Sequence, residues 1–108
     1  MAQELIISIS GMRGLIGENL FPETAAFYGA AFGTFLRERW TDSARKPAVA
    51  LGRDSRISGT MLAAAFSAGL CSTGVDESDL GICSTPAVGI MVRHLGCQGG
   101  AVITASHN

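Results

Sequence analysis

The sequence predicts an α/β domain, a three-layer α/β/α sandwich around a mostly parallel four-stranded sheet. Short apolar segments alternate along the chain with longer segments in which apolar residues recur at helical spacing. No internal repeat, low-complexity tract or linker interrupts this alternation. The 108 residues are the usual length of one domain, so we expect a single α/β/α domain over residues 1–108.

Four short apolar segments are the predicted strands. They are Leu5–Ile9, Ala48–Leu51, Asp79–Cys83 and Gly100–Thr104. We expect the first three to run parallel through right-handed crossovers, with helices between them. Because the link from the third helix to the last strand is short, that strand is the candidate for an antiparallel edge strand.

Three helices are predicted between these strands. The first begins at Pro22, where the first turn tolerates proline, and reaches Trp40. Its apolar stripe consists of Tyr28, Ala31, Phe32, Phe35 and Leu36. Gly29 and Gly33 lie between these residues and are expected to allow close approach of the helix to the sheet. The second helix follows Ser58 as N-cap and ends at Gly74. The third follows Thr85 as N-cap, with Pro86 in its first turn, and runs to about His94.

Charge and hydropathy exclude two classes of partner. The net charge is −1, and the eight Lys and Arg residues are scattered, which argues against a nucleic-acid surface. No apolar run reaches the roughly 18 residues of a membrane span, and the start of the chain lacks a basic leader.

Only 16% of residues are charged, against about 25% in average domains. Part of the surface is therefore expected to be covered by something outside this chain.

The cysteines indicate a reducing compartment. Cys71, Cys83 and Cys97 are odd in number and lack metal-site spacing. Each lies among apolar neighbours, so we expect buried, reduced thiols and a cytoplasmic protein.

Three loops are predicted at the carboxyl ends of strands, where ligands bind in open α/β sheets. They are Ser10–Gly17, Gly52–Gly59 and Thr104–Asn108. Parallel strands bring their carboxyl ends to one edge, so the loops should converge on a site.

Ser106 is the candidate nucleophile because it follows an apolar strand, although a serine there can also be an ordinary turn residue. A serine hydrolase is disfavoured, since no Gly-x-Ser-x-Gly elbow is present and the adjacent His107 would project elsewhere. Phosphoryl transfer fits better, because it needs positioned cations and donors more than a strong base.

Arg13 is the candidate phosphate ligand. It lies among Gly11, Gly14 and Gly17, where successive backbone N–H groups can form an anion-binding concavity beside a bidentate guanidinium. The alternative is a glycine-rich turn with a solvated arginine. The spacing does not match the dinucleotide fingerprint. In the next loop, Asp54 can pair with an arginine or cap the turn, and local backbone bonding is the favoured interpretation.

The motifs together resemble those of the α-D-phosphohexomutases. Thr104-Ala105-Ser106-His107-Asn108 resembles that family's active-site serine motif. Ser10-Gly11-Met12-Arg13-Gly14 resembles its Ser-Gly-Ile-Arg-Gly segment, and Gly52–Gly59 its Gly-Arg-Asp-x-Arg-x-Ser-Gly loop. The three motifs occur in the family's order, and Ile9 and Met12 are departures from it.

The resemblance implies that Ser106 carries a phosphoryl group, gives it to a hexose phosphate and recovers one from the sugar bisphosphate. Arg13 and His107 would line this catalytic site, and Ser10, Gly11 and Asn108 would contact phosphate. The phosphate on Ser106 would also be a ligand of Mg²⁺, and a glucose 1,6-bisphosphate-type compound would be the activator.

The resemblance further implies a four-domain enzyme, of which this chain is domain I truncated just after the catalytic serine. Its partners would be the hexose phosphate substrate and the missing domains. The segment Ser8–Gly14 is more similar to the phosphoglucosamine mutase branch than to the phosphomannomutase/phosphoglucomutase branch. The alternatives are that second branch, or a non-catalytic phosphate-binding module. We expect the isolated chain to be inactive.

Overall fold

A computed structural model of the chain describes residues 22–55 and 57–104. Helices and strands alternate over this part of the chain, as predicted. The elements are α1 (Pro22–Glu38), β1 (Ala48–Arg53), α2 (Ile57–Ser72), β2 (Asp76–Ile82), α3 (Thr85–Leu95) and β3 (Gly99–Ile103). The predicted strand Leu5–Ile9 lies outside the described residues.

The described strands form one parallel sheet in the order β2-β1-β3. The expectation of an antiparallel last strand is wrong, because β3 pairs parallel with β1 from Val49↔Gly99 to Arg53↔Ile103. The short link between α3 and β3 does not require an antiparallel strand, because α3 itself is the crossover. It carries the chain from the end of β2 to the start of β3, on the other side of β1. Gly96 then ends α3 in the left-handed conformation, with φ of 70°. The N–H of Gln98 donates to the carbonyl of Ala48 at 2.8 Å, which places the start of β3 beside β1.

Successive residues of β1 face opposite sides of the sheet, as the strand period requires. Val49 and Leu51 are buried in the core that contains residues of α1 and α2. On the opposite side, a Cβ built on Gly52 would lie 2.7 Å from Val88 of α3. The helices therefore cover both faces of the sheet, and the predicted α/β/α architecture is confirmed. The main core consists of Ala25, Phe32, Leu36, Val49, Leu51, Leu62, Phe66, Leu70, Val75 and Ala101.

Glycines bring α1 against α2. A Cβ at Gly29 would overlap the carbonyl of Phe66, and one at Gly33 would overlap the Thr73 hydroxyl. From the other side, a Cβ at Gly69 would overlap the carbonyl of Ala26. The expectation that the α1 glycines approach the sheet is therefore wrong, since their close neighbours are on α2. The buried face of α1 is the one that carries these glycines, and it comprises Ala25, Gly29, Phe32, Gly33 and Leu36. Ala31, which was predicted to be part of the apolar stripe, is exposed.

Two helix starts differ from the prediction, by one residue for α3 and by two for α2. Ser84, not Thr85, is the N-cap of α3, because its hydroxyl accepts a hydrogen bond from the N–H of Ala87 at 3.2 Å. Helix α2 begins at Ile57, so Ser58 lies inside its first turn and is not its N-cap. A serine or threonine near a helix start can occupy either position, so the sequence alone did not separate them.

Two other expectations need correction. β2 begins at Asp76, three residues before the predicted start, because acidic residues with low strand propensity form its first half. All three cysteines are free, as expected, but Cys71 is exposed and Cys83 and Cys97 are only partly buried. Among the described residues, no helix is long and apolar enough to span a membrane.

Candidate phosphoryl-transfer site

The carboxyl ends of β1 and β3 lie side by side. Arg53 and Ile103 are the last paired residues of the two parallel strands. The Gly52–Gly59 loop and the segment that begins at Thr104 therefore leave the sheet at the same edge. The points at which two of the three predicted loops leave the sheet are therefore adjacent, as predicted. Residues 105–108 of one loop and the whole of Ser10–Gly17 lie outside the described residues, so the convergence of the loops themselves stays a prediction.

Backbone hydrogen bonds from the loop after β1 connect the ends of all three described strands. The N–H of Asp54 donates to the carbonyl of Ile103 at 2.9 Å, at the end of the β1–β3 ladder. On the other side, the N–H of Cys83 donates to the carbonyl of Arg53 at 3.0 Å. The direction in which Thr104 leaves β3 is thus tied to the Arg53–Asp54 peptide.

The side chain of Asp54 lies against the first turn of α2. Its Oδ1 is 3.2 Å from the position that a Cβ on Gly59 would occupy, and the Asp54 side chain is partly buried. A carboxylate at this end of a helix is stabilised by the helix dipole and the free N–H groups. The favoured interpretation, in which Asp54 bonds locally, fits this placement. The same carboxylate makes the start of α2 a poor binding site for a second anion.

An irregularity in β2 shapes the same edge. The register against β1 shifts between Leu51↔Asp79 and Gly52↔Gly81, so Leu80 is an extra residue in β2. Gly81 has φ of 71°, and its N–H donates to Oδ1 of Asp79 at 2.8 Å. Bulges are frequent beside active sites because they redirect a strand end. This bulge was not predicted from the sequence, although its signal is present: Asp79 is followed two residues later by Gly81, the spacing of an Asx turn.

Gly52, near the end of β1, is closely surrounded by side chains on the α3 side of the sheet. A Cβ on Gly52 would lie 2.6 Å from the Cys83 Sγ as well as close to Val88. The glycine that opens the Gly-Arg-Asp loop is therefore enclosed, and any larger side chain there would push on the ends of β1 and β2. The requirement for glycine at position 52 is steric, since φ is not positive there.

The residues predicted to carry the chemistry are outside the described part of the chain. They are Ser10, Gly11, Arg13, Ser106, His107 and Asn108. Their roles stay predictions. The described residues include no group of three or more His, Cys, Asp or Glu side chains that could hold a metal ion. The described edge alone therefore does not fit a Mg²⁺ site, and the predicted ligand Ser106 lies beyond it.

Comparison with protein-family models matches residues 5–108 to one family, described as phosphoglucomutase/phosphomannomutase, alpha/beta/alpha domain I. The chain belongs to this family. The match spans all three predicted loops, and the domain I architecture in its description is the one that the described residues adopt. The family resemblance derived from the three motifs is thereby confirmed.

Curated relatives of this domain I chain carry two names. A phosphoglucomutase/phosphomannomutase of Thermococcus kodakarensis is 48% identical over 98 residues, which are 91% of this chain and 21% of the relative. Phosphoglucosamine mutases of Symbiobacterium thermophilum and Lacticaseibacillus casei are 48% and 44% identical over 91% of this chain and 22% of their own length. The chain thus spans about a fifth of these relatives, all of which are named as mutases.

Proposed function

We propose that this chain is the phosphoserine-bearing domain of a phosphohexomutase, which transfers phosphoryl groups between C6 and C1 of a hexose phosphate. The observation that carries the proposal is the pairing of Arg53 with Ile103. This pairing brings the family's Gly-Arg-Asp loop beside the segment that leads into Ser106. The family match over residues 5–108 supports the same assignment.

Ser106 is the phosphoryl carrier in this proposal. A free hydroxyl of the hexose monophosphate bonds to the phosphorus as the Ser106 Oγ–P bond breaks. The proton of that hydroxyl ends on the Ser106 Oγ, so a phosphate ester and a free serine are formed. The resulting bisphosphate reorients and returns its other phosphoryl group to Ser106. Because the transition state is loose, catalysis depends chiefly on positioned donors and charges.

The neighbouring predicted residues supply those donors and charges. The planar guanidinium of Arg13 can meet two phosphate oxygens at once, and His107 lines the site beside Ser106. Ser10, Gly11 and Asn108 offer hydroxyl, backbone N–H and amide donors to phosphate. These residues orient the phosphoryl group and offset its negative charge during transfer.

Mg²⁺ is the proposed cofactor and would be held in part through the phosphate on Ser106. The ion prefers six oxygen ligands, so the remaining ligands would come from the rest of the enzyme and from water. When bound, it neutralises charge on the transferring phosphoryl group. A bisphosphate such as glucose 1,6-bisphosphate would phosphorylate Ser106 and so activate the enzyme.

The proposed substrate is glucosamine phosphate. Ser8–Gly14 is similar to the phosphoglucosamine mutase branch, and relatives in Symbiobacterium and Lacticaseibacillus carry that name. Glucose or mannose phosphate is the second candidate, favoured by the Thermococcus relative. Three free thiols fit a reducing compartment, so we place the enzyme in the cytoplasm. Its other partners are the domains that make up the rest of these relatives.

The test uses the full-length enzyme incubated with glucose 1,6-bisphosphate and Mg²⁺. Tandem mass spectrometry should place the phosphoryl group on Ser106, and coupled assays should show turnover of glucosamine, glucose or mannose phosphate. Ser106→Ala should abolish both signals and leave the thermal melt unchanged. Stable phosphate on Ser10 or Ser55, with none on Ser106, would contradict the assignment. Phosphate binding without turnover would support the non-catalytic module instead.

A further inference from the structure

Asp54 contacts two elements that meet at the proposed site. Its backbone N–H donates to the carbonyl of Ile103, the residue before Thr104 and three residues before Ser106. Its carboxylate lies against Gly59 in the first turn of α2. A single residue therefore connects the helix that follows β1 with the strand that leads into the serine motif.

The Asp54–Ile103 hydrogen bond is the last bond of the β1–β3 pairing. In a parallel ladder, the N–H of residue 54 bonds to the carbonyl of the residue paired with Arg53, which is Ile103. While this amide is bonded to Ile103, the side chain of the same residue lies beside Gly59 of α2. The carboxylate holds the loop there, because it faces the start of α2, where unpaired N–H groups and the helix dipole favour a negative charge.

Gly59 makes the space for that carboxylate. A methyl group there would come within 3.2 Å of Oδ1 and 3.7 Å of the backbone oxygen of the same Asp54. The position has no positive φ, so backbone conformation does not demand a glycine. Its small size therefore serves the contact with Asp54.

We infer that Asp54 is a positioning residue for the serine segment. Its carboxylate fixes the loop after β1 against α2. Its N–H fixes the carbonyl of Ile103, and with it the position of the peptide that joins Ile103 to Thr104. In this role Asp54 acts through the backbone that leads to Ser106. The inference rests on the proposed function, since it assigns the segment after Thr104 a catalytic role.

The test compares Asp54→Ala and Asp54→Asn in the full-length enzyme, with Asp42→Ala as control. Asp42 is another loop aspartate, exposed where Asp54 is partly buried, and it accepts a hydrogen bond from the N–H of Ala44. It precedes β1 and so lies at the opposite end of that strand. We expect Asp54→Ala to lower kcat by about 10- to 100-fold with KM within about threefold, because small displacements of a reacting group cost that much. The rate of phosphoserine formation should fall equally. Asp54→Asn keeps an acceptor oxygen and should recover most of the rate.

Gly59→Ala provides a second variant in case Asp54→Ala fails to fold. It retains Asp54 but crowds the carboxylate, so kcat should fall while the Asp54 amide exchanges its hydrogen faster than in the wild type. A purely structural role would lower the melting temperature and leave kcat of the folded enzyme unchanged in both variants. That result would overturn the inference. An inactive wild type would instead refute the proposed function, so the two failures are distinguishable.

Discussion

A Cβ on Gly69 of α2 would overlap the main-chain carbonyl of Ala26 on α1. From the opposite side, Gly29 meets the carbonyl of Phe66 in the same way, and a Cβ on Gly33 would overlap the Thr73 hydroxyl just after the end of α2. The two helices therefore touch backbone to backbone, and they leave no volume for a side chain at any of the three positions. This contact lets Phe32 of α1 reach Gly99 at the start of β3, and so connects the helix pair to the sheet.

We predict that Gly69→Ala lowers the free energy of unfolding by about 1–3 kcal/mol, the usual cost of overpacking a tight contact. Gly89→Ala is the matched control, because Gly89 also lies inside a helix and a Cβ there meets nothing within 4 Å. Alanine should raise stability at position 89 by up to about 1 kcal/mol through helix propensity. Urea denaturation measures both changes. Equal effects of the two substitutions would contradict the close approach of α1 and α2.

Gly81 tests backbone conformation without crowding. Its φ of 71° lies in the left-handed region, yet a Cβ there would meet nothing within 4 Å. We predict that Gly81→Ala destabilises the protein by roughly 1–2 kcal/mol, and that Gly81→Asn costs less because asparagine adopts this conformation more readily. Denaturation curves of the two variants decide the matter, and an alanine variant as stable as the wild type would exclude the bulge geometry.

Much of the fold could be predicted because its signals are local. Apolar spacing located the helices, and Pro22, Gly74 and Gly96 marked ends that the structure places within a few residues. The direction of β3 could not be obtained in this way, since it depends on the end of the sheet at which α3 places the start of β3. The partner of Gly29 and Gly33 was equally hidden. Their small size indicates a close approach, but only the three-dimensional arrangement identifies α2 as the neighbour.

At the candidate site, the sequence predicted that the ends of β1 and β3 lie at one edge of the sheet, because parallel strands place their carboxyl ends together. It also favoured a local role for Asp54. The sequence did not show that the Asp54 amide bonds to Ile103, a contact between residues far apart in the chain. Nor did it expose the bulge at Leu80, which appears only when β2 is set in register against β1.

Cysteine reactivity should follow burial. Cys71 is exposed on α2, whereas Cys83 and Cys97 are partly buried. We predict that a thiol reagent such as DTNB modifies one cysteine rapidly and the other two more slowly, and that Cys71→Ser removes the rapid phase. Stopped-flow absorbance gives the rates, and mass spectrometry identifies the modified residue. A rapid phase that persists in Cys71→Ser would show that the exposure of the three thiols is ranked wrongly.

Arg13→Lys should lower turnover of the full-length enzyme far more than its stability. Lysine keeps the positive charge but loses the planar fork that meets two phosphate oxygens. Loss of one such positioned contact costs roughly 2–4 kcal/mol in the transition state. Steady-state kinetics beside a thermal melt measure the two effects separately. Near-normal turnover would identify Arg13 as a solvated loop residue.

The 108-residue chain is expected to show no mutase activity alone, even with Mg²⁺ and a sugar bisphosphate. It spans about a fifth of its curated relatives, and its described residues include no carboxylate cluster for the metal. The residues that bind the distal phosphate and the sugar hydroxyls would also come from elsewhere in the enzyme. Productive positioning of a substrate can supply about 7–11 kcal/mol of the barrier, so loss of those contacts should be severe.

The measurement is a coupled assay on the purified chain with glucosamine, glucose and mannose phosphates in turn, beside the full-length enzyme. Circular dichroism of the same sample shows whether the helices of the domain are formed, so that an unfolded chain is not mistaken for an inactive one. Ser106→Ala in the full-length enzyme sets the background rate of the assay. Since a phosphoserine alone cannot complete the coordination of Mg²⁺, we expect the folded chain to match this background. Turnover within a few-fold of the full-length enzyme would mean that residues 1–108 hold both the metal and the sugar.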